Sequence, residues 1–348
     1  MTTMNRARPA FETVLKGRSL PADEAESTLG EILDDAVPDA LVAGFLIALK
    51  MKGETAPELT GGTRAMRKRA RQLELGGVRV LDTAGTGGDG AGTFNISTGA
   101  AIIAAAAGIP VAKHGNRAIS GRVGAADVLE YFGVRVDLDP RGLRRCLKMA
   151  GICFVFAPAY HPALARLAVL RRTLGVRTIF NLMAPLANAA CPSYQLLGVS
   201  ERRLLRPMAL ALVALGIERA MVVHGNDGLD EISLAASTKV VEVRGQDLDE
   251  YEVSPRDFGL QPAGPAEFLT ADTRSAAELL QATLAGDPGP AADVLALNAG
   301  AAIYVGRGTK TIAEGVKRAR ETLASGRALE TLELMKAASR QLEGSERT

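Results

Sequence analysis

Val78-Arg-Val-Leu81-Asp-Thr-Ala-Gly85-Thr-Gly-Gly-Asp89-Gly-Ala-Gly-Thr93-Phe-Asn95-Ile-Ser97-Thr98 is the stretch whose reading decides the fold. The apolar run 78–81 reads as a strand, the glycine-rich segment after it as a loop, and the Ala/Ile-rich residues 97–107 as a helix. A glycine-rich loop between a strand and a helix N-terminus lets the backbone approach a ligand closely. The unpaired amides and the helix dipole then face negative charge. The stretch therefore predicts a βα unit that cradles phosphate.

The same alternation continues downstream. Short apolar runs at 78–81, 109–112, 152–156, 196–199, 219–223 and 238–243 predict strands. Between them, 97–107, 124–132, 140–150, 162–174 and 201–215 read as helices, the pattern of βα units in a largely parallel sheet. Asp139-Pro140 supplies an N-cap and first-turn proline, and Gly133, Gly151, Gly175 and Gly216 stand where helices should stop. Upstream, the first 75 residues read as helices only, opened at Pro21, at Pro38 and at Thr55-Ala-Pro57-Glu. From about Thr273 the chain is helical again, with Leu295–Tyr304 apolar enough to be buried. The expected fold class is α/β: a small all-helical N-terminal part over 1–75, then a larger α/β part over 76–348. The latter is built on a central, mainly parallel sheet flanked by helices.

Bulk composition excludes several function classes. Apolar residues make up 47% and charged residues 23% of the 348, with a formal net charge of +2. That balance leaves no electrostatic footprint for nucleic acid or an anionic membrane. The three cysteines, Cys146, Cys153 and Cys191, form no C-x-x-C pair, which predicts reduced thiols and a cytoplasmic setting. No apolar run reaches the roughly 18–20 residues needed to span a bilayer. The basic cluster Arg64, Arg67, Lys68, Arg69 and Arg71 reads as a solvated helix face.

Gly85-Thr-Gly87-Gly-Asp-Gly90 satisfies the dinucleotide pattern G-x-G-x-x-G, but the helix starts near Ser97 rather than at the third glycine. Lys113 also stands where a ribose-binding acid would be needed. A P-loop is excluded because no Gly-Lys-Ser/Thr follows. Lys113-His114-Gly115-Asn116-Arg117, after strand 109–112, falls on the same sheet edge as the first loop, the edge where parallel sheets bind ligands. Ala118-Ile119-Ser120-Gly121-Arg122-Val123-Gly124 makes a second glycine-bearing loop there. Asp230-Glu231, after strand 219–223, suits Mg²⁺, a hard cation that takes oxygen ligands and substrate phosphates. Arg171 and Arg177 are either planar partners for a substrate carboxylate or mere complements of a helix dipole. Together these parts point to an enzyme acting on a phosphorylated sugar and an acidic partner.

Residues 83–98, 113–133, 171–188 and 222–233 resemble the four signature segments of the anthranilate phosphoribosyltransferase family, in order and spacing, and the resemblance runs across essentially the whole chain. It implies a small helical domain, joined by helices from about 165–195, beside a larger α/β domain, with homodimer formation through the helical part. The implied reaction is the second step of tryptophan biosynthesis. It moves phosphoribose from phosphoribosyl pyrophosphate (PRPP) to anthranilate and releases pyrophosphate with Mg²⁺ bound. By that resemblance, Gly85, Gly88, Asp89, Thr93, Asn95, Ile96, Ser97 and Thr98 bind PRPP, together with Lys113, His114, Gly115, Asn116, Arg117, Ala118, Ile119, Ser120, Gly121 and Ala125. Gly85, His114, Asn116, Arg171 and Pro185 would serve anthranilate, and Ser97, Asp230 and Glu231 the metal. No general base is implied.

The chain departs from the family pattern at Gly121, Val123 and Ala125, where serines are expected, and at Ala184, where a glycine is expected before Pro185. Ala187 and Ala189 replace the usual Thr and Pro around Asn188. Each missing hydroxyl contact is worth roughly 0.5–1.5 kcal/mol. These departures leave open a paralogue acting on another aromatic amine. A nucleoside phosphorylase of the same superfamily is the other enzymatic alternative, and it should not need the Asp230-Glu231 pair.

Overall fold

The computed structural model describes residues 7–118 and 123–341. Four helices come first: α1 (Ala7–Leu15), α2 (Ala22–Leu33), α3 (Asp39–Lys52) and α4 (Ala56–Lys68). Pro21 and Pro38 stand immediately before α2 and α3, and Thr55 forms a capping box with Glu58 at the start of α4. The Glu58 carboxylate also accepts from the Leu20 amide at 3.0 Å and pairs with Lys52 at 2.9 Å, so one buried acid fixes three segments of the bundle.

The α/β part then runs β1 (Leu81–Gly85), α5 (Ile96–Ala106), β2 (Val111–Gly115), α6 (Ala125–Tyr131), α7 (Pro140–Ala150), β3 (Ile152–Phe156), α8 (Ala157–Tyr160), α9 (Leu167–Leu174) and α10 (Ile179–Met183). It continues with β4 (Tyr194–Gly198), α11 (Leu205–Ala214), β5 (Arg219–Gly225), β6 (Thr238–Arg244) and β7 (Asp247–Val253). It closes with α12 (Thr273–Leu284), α13 (Pro290–Val305), α14 (Ile312–Ala324) and α15 (Arg327–Arg340). The sheet order is β3-β2-β1-β4-β5-β6-β7, parallel from β3 to β5 and antiparallel for the last two strands. This is the expected class, a helical N-terminal bundle and a mainly parallel sheet flanked by helices.

Both sheet faces are covered, as a parallel sheet requires. Along β5, Met221 and Val223 face a core built from α5, α13 and α14, whereas Ala220 and Val222 face α11 and the N-terminal bundle. The second core also takes Leu167 from α9 and Ile179, Phe180, Leu182 and Met183 from α10. Residues far along the chain thus return to pack with the N-terminal helices.

Several expected boundaries are corrected. β1 begins at Leu81 and runs to Gly85, and β2 runs from Val111 to Gly115, so Asp82, Thr83, Lys113 and His114 are strand residues rather than loop residues. A run of apolar side chains cannot mark these strands because their polar side chains are buried, with Asp82, Thr83 and Lys113 hydrogen-bonded to segments distant in sequence. β4 starts two residues earlier than the run 196–199 suggests, and β5 extends to Gly225. The acidic strand Asp247–Val253 carries no apolar alternation and is an exposed edge, where charge discourages further pairing. The expected helix 162–174 is a 3₁₀ turn at Pro162–Leu164 followed by α9, and 201–215 opens with a 3₁₀ turn at Arg202–Leu204. The basic cluster is not simply solvated: Arg67 is mostly buried and donates to the Leu186 carbonyl at 2.7 Å, while Arg69 pairs with Asp34.

Helix α13, almost wholly buried, crosses α14 at Gly300 and Gly315. A Cβ on Gly315 would lie 2.1 Å from the Gly300 carbonyl oxygen. Gly315→Ala is therefore expected to lower stability by about 1–3 kcal/mol, the usual cost of overpacking. Helix propensity alone would favour alanine by about 1 kcal/mol. A urea titration decides between the two, and a raised midpoint would refute the close-crossing account.

Candidate active site

The C-terminal ends of β1 and β2 and the segments that follow β3 and β5 converge on one cleft of about 380 Å³. Its floor is made by buried charge. Lys113, fully inside β2, donates from Nζ to the Thr83 carbonyl at 2.6 Å and to Ser97 Oγ at 3.2 Å. Burial pulls its ammonium below the usual lysine range, and the Asp82 and Glu231 carboxylates oppose that pull. Asp82, equally buried, accepts from the His114 amide at 3.0 Å and from Asn188 Nδ2 at 2.9 Å, and burial pushes it up to about 6. Asn188 also donates to the Ala112 carbonyl at 2.8 Å, so the segment before β4 is fastened to β1 and β2 together.

The first loop is shaped by what touches its glycines. Asp230 Oδ2 accepts from the Gly87 amide at 2.6 Å and lies 2.6 Å from where a Cβ on Gly85 would stand. The Asp230 carbonyl oxygen is 1.5 Å from the corresponding point on Gly198, so neither strand end tolerates a side chain. Gly88 adopts φ +83°, and the Arg177 guanidinium fills the space a side chain would need, 1.9 Å from its Cβ position. Farther along, the Phe94 amide donates to the Phe268 carbonyl at 3.0 Å and the Thr270 amide to Gly92 at 3.1 Å. These bonds staple the loop to the segment before α12.

Three acids, Asp89, Asp230 and Glu231, crowd one part of the cleft. Burial, then the neighbouring Asp89 carboxylate, pushes Asp230 upward, and burial, then Asp230, raises Glu231 well above its ordinary range. Like charges held together at a half-buried cleft wall call for a cation. Among the described residues no group of three or more His, Cys, Asp or Glu side chains is arranged to hold a metal. A pair of carboxylates is the number of protein ligands that Mg²⁺ usually takes, its shell being completed by water and substrate phosphate.

Elsewhere the cleft is lined by Met66, Leu164, Ala184 and Pro185 together with a few polar groups. His114 and His161 meet edge to face, with centroids 5.6 Å apart. Burial, reinforced at His114 by the neighbouring imidazole, lowers them to about 3 and about 4. One ring nitrogen of each donates to a backbone carbonyl, Ala184 for His114 and Ala187 for His161, while both Nε2 atoms are buried without a partner. Arg171, on α9, lies over the Phe180 ring at 5.9 Å and has no carboxylate within ion-pair distance among the described residues. A guanidinium in that state suits a planar carboxylate from a ligand.

Of the residues singled out from sequence, Gly85, Gly88, Asp89, Thr93, Asn95, Ile96 and Ser97 line this cleft, as do Lys113 to Ala118, Ala125, Arg171, Pro185, Asp230 and Glu231. Thr98 does not: it is buried in the first turn of α5, under the loop. Ile119, Ser120 and Gly121 lie outside the described residues. Arg117 borders the cleft with its guanidinium held by Glu130 at 2.6 Å and stacked over Phe156, so its charge is largely taken up. Sequence reading missed His161, Asn181 and Thr270. His161 follows β3 at the same sheet edge, so the strand-end rule that singled out Lys113–Arg117 would have found it.

Comparison with known proteins places this geometry. Residues 77–329 match the glycosyl transferase family a/b domain, and residues 8–70 match that family's helical bundle domain. An anthranilate phosphoribosyltransferase from Clostridium kluyveri is 47% identical over 92% of this chain and 95% of its own length. The crystal structure of anthranilate phosphoribosyltransferase from Thermus thermophilus is 41% identical. It superposes with a TM-score of 0.90 over 95% of this chain and 99% of that one. The Saccharomyces cerevisiae anthranilate phosphoribosyltransferase in complex with PRPP and Mg, 24% identical, shares the fold with a TM-score of 0.88 over 97% and 98% of the two chains.

The histidine pair sets a pH dependence of stability. Each imidazole has a folded-state value below its ordinary 6.5, so the unfolded chain binds the extra protons. Its contribution is complete above about 6.5 and is lost as pH falls toward about 4 for His161. Asp82, raised to about 6, acts with the opposite sign over part of that range, so the test is a comparison of variants. His161→Gln is expected to flatten the fall in Tm between pH 7 and pH 4.5 relative to the parent. Parallel Tm–pH curves would refute a buried neutral imidazole.

Proposed function

Because the chain belongs to the anthranilate phosphoribosyltransferases, we infer that its cleft joins PRPP to anthranilate, giving N-(5-phosphoribosyl)anthranilate and pyrophosphate. The observation that carries the reading is a single cleft combining an amide-rich loop, the half-buried Asp230-Glu231 pair and the carboxylate-free Arg171. In the transfer, the ribose C1–O bond to pyrophosphate breaks and a C1–N bond to the aromatic amine forms, after which the nitrogen loses a proton. The amine lone pair is free at neutral pH, so holding the two substrates in line matters more than a strong base. Asp230, Glu231 and Ser97 are proposed to hold Mg²⁺, which when bound offsets charge on the departing pyrophosphate. Gly85, Gly88, Asp89, Thr93, Asn95, Ile96 and Ser97, with residues 113–121 and Ala125, are proposed to bind PRPP, and Gly85, His114, Asn116, Arg171 and Pro185 to seat anthranilate; Thr98, expected with the first group, lies outside the cleft.

The remaining parts of the proposal concern organisation. Residues 1–75, together with about 165–195, are assigned to a helical domain, and 76–348 otherwise to the α/β domain. A homodimer is proposed through the helical part. What supports it is an apolar groove between α1 and α3 lined by Phe11, Val14, Ile47 and Met51, with Leu15 and Met51 largely exposed. A cytoplasmic location is supported by three free cysteines, and no helix among the described residues is long and apolar enough to cross a membrane.

The primary experiment is loss of anthranilate fluorescence with PRPP and Mg²⁺, run beside other aromatic amines. Turnover of another amine in preference to anthranilate would overturn the acceptor assignment. Arg171→Ala is expected to raise the KM for anthranilate by roughly 10- to 100-fold, the worth of a charged hydrogen bond, with little change for PRPP. Equal effects on both substrates would remove Arg171 from the acceptor site. The double substitution Asp230→Asn with Glu231→Gln should abolish activity at low Mg²⁺ and recover part of it at high Mg²⁺. Activity independent of Mg²⁺ in either protein would refute the metal assignment.

A further inference from the structure

Arg177 occupies an unusual position between the two ends of the cleft. Its backbone is fixed by its neighbours: Gly175 ends α9 at φ +62°, and Thr178 and Asn181 form the capping box that opens α10. Helix α10 in turn is anchored in the core shared with the N-terminal bundle. From that base the side chain reaches across to the phosphate loop, where Nη2 donates to the Thr86 carbonyl at 2.5 Å and the guanidinium lies against Gly88. Thr86 is itself held on the far side by β4, its amide donating to the Gly198 carbonyl at 2.9 Å and its hydroxyl accepting from the Ser200 amide at 3.1 Å. Asp230 grips the next residue, Gly87. Loop residues 86–88 are thereby held by three bodies: the sheet, the metal-end carboxylate and the helical segment carrying Arg177.

The same side chain also lines the neighbouring cavity of about 580 Å³, together with Leu164, His161, Arg171 and Asn181. It forms no ion pair of its own among the described residues, although Asp230, Glu201 and Asp89 attract it from a distance. A guanidinium bonded to a loop carbonyl rather than to an acid holds geometry more than charge. If the loop 86–88 rearranged, Arg177 would lose its seat, and the wall of the acceptor cavity six residues from Arg171 would loosen with it.

We propose that Arg177 is a positioning residue that couples the two substrate sites: occupancy of the phosphate loop fixes Arg177, and Arg177 fixes the acceptor wall. The inference rests on the assignment of PRPP and anthranilate to this cleft. It concerns neither bond breaking nor direct contact with pyrophosphate. By linkage the coupling is reciprocal, so each ligand should tighten the other by the same factor.

The test uses full-length protein with inorganic pyrophosphate and Mg²⁺ as a non-reacting occupant of the donor side. Anthranilate affinity is read by titration calorimetry with and without that occupant. The parent is expected to bind anthranilate roughly tenfold more tightly when pyrophosphate and Mg²⁺ are present, within the usual range for coupled sites. Arg177→Gln should bring that ratio close to one while leaving the affinity for pyrophosphate alone within about threefold. Arg177→Lys, which keeps one donor but not the planar fork, should restore part of the ratio. Far-UV circular dichroism and Tm confirm that each variant is folded, and the lysine variant carries the test if the glutamine variant is not. An unchanged ratio in the folded variants overturns the proposal. So does a wholesale loss of pyrophosphate binding, which would make Arg177 a direct ligand. A parent that transfers phosphoribose to anthranilate but shows no coupling also refutes it. A parent that neither binds nor consumes anthranilate instead refutes the assigned reaction.

Discussion

An ammonium group buried at the edge of a parallel sheet constrains everything around it. Lys113 lies inside β2, away from water, and an isolated charge there would be prohibitively costly. Asp82 on one side and Glu231 on the other share its field, and Thr83 and Ser97 supply hydrogen-bond acceptors. These partners come from different elements: β1, the first turn of α5 and the loop after β5. Satisfying one lysine therefore fixes the relative position of three of the segments that build the cleft. Removing a single partner would leave the others uncompensated in a dry interior, which is the costly way to disrupt a buried pair.

The consequences spread outward through neutral hydrogen bonds. Asp82, once ionised beside Lys113, can hold the His114 amide and Asn188 together, and Asn188 ties down the segment that carries Ala184 and Pro185. That segment presents the carbonyls of Ala184 and Ala187 to the two histidines, fixing them as neutral rings with a free acceptor each. The histidine pair of the cleft is thus oriented by the same charge that lies at its floor. The two halves of the site share a foundation as well as a wall.

This explains which parts were legible in the sequence. The capping residues Thr55 and Asp139 act locally, so their meaning survives in one dimension. The alternating pattern also sufficed for the fold class. What the pattern misplaced were the strand ends at Asp82–Gly85 and Lys113–Gly115, because polar residues there are buried through partners 14 to 106 residues away. β7 was invisible for the opposite reason: an edge strand exposed to water needs no apolar face. Arg67 read as a solvated charge, since nothing local shows that the Leu186 carbonyl will lie above it.

The small residues of the second loop take on a different meaning in this setting. Val123 and Ala125 replace hydroxyl-bearing residues of the family pattern, and both are partly buried against the core that includes α5 and α13. The Ala125 methyl lies 3.3 Å from the point where a Cβ on Gly115 would stand, so that strand end is filled by apolar packing. The two residues that flank the loop are joined instead by Asp127, whose Oδ2 accepts from the amides of Ala118 at 2.9 Å and Gly124 at 2.8 Å. Gly124 permits this because a Cβ there would stand 2.3 Å from the Ala118 nitrogen. A carboxylate gripping main-chain amides keeps its hold when neighbouring hydroxyls are lost. Loss of the serines therefore removes individual contacts of roughly 0.5–1.5 kcal/mol each but not the carboxylate grip that joins Ala118 to Gly124.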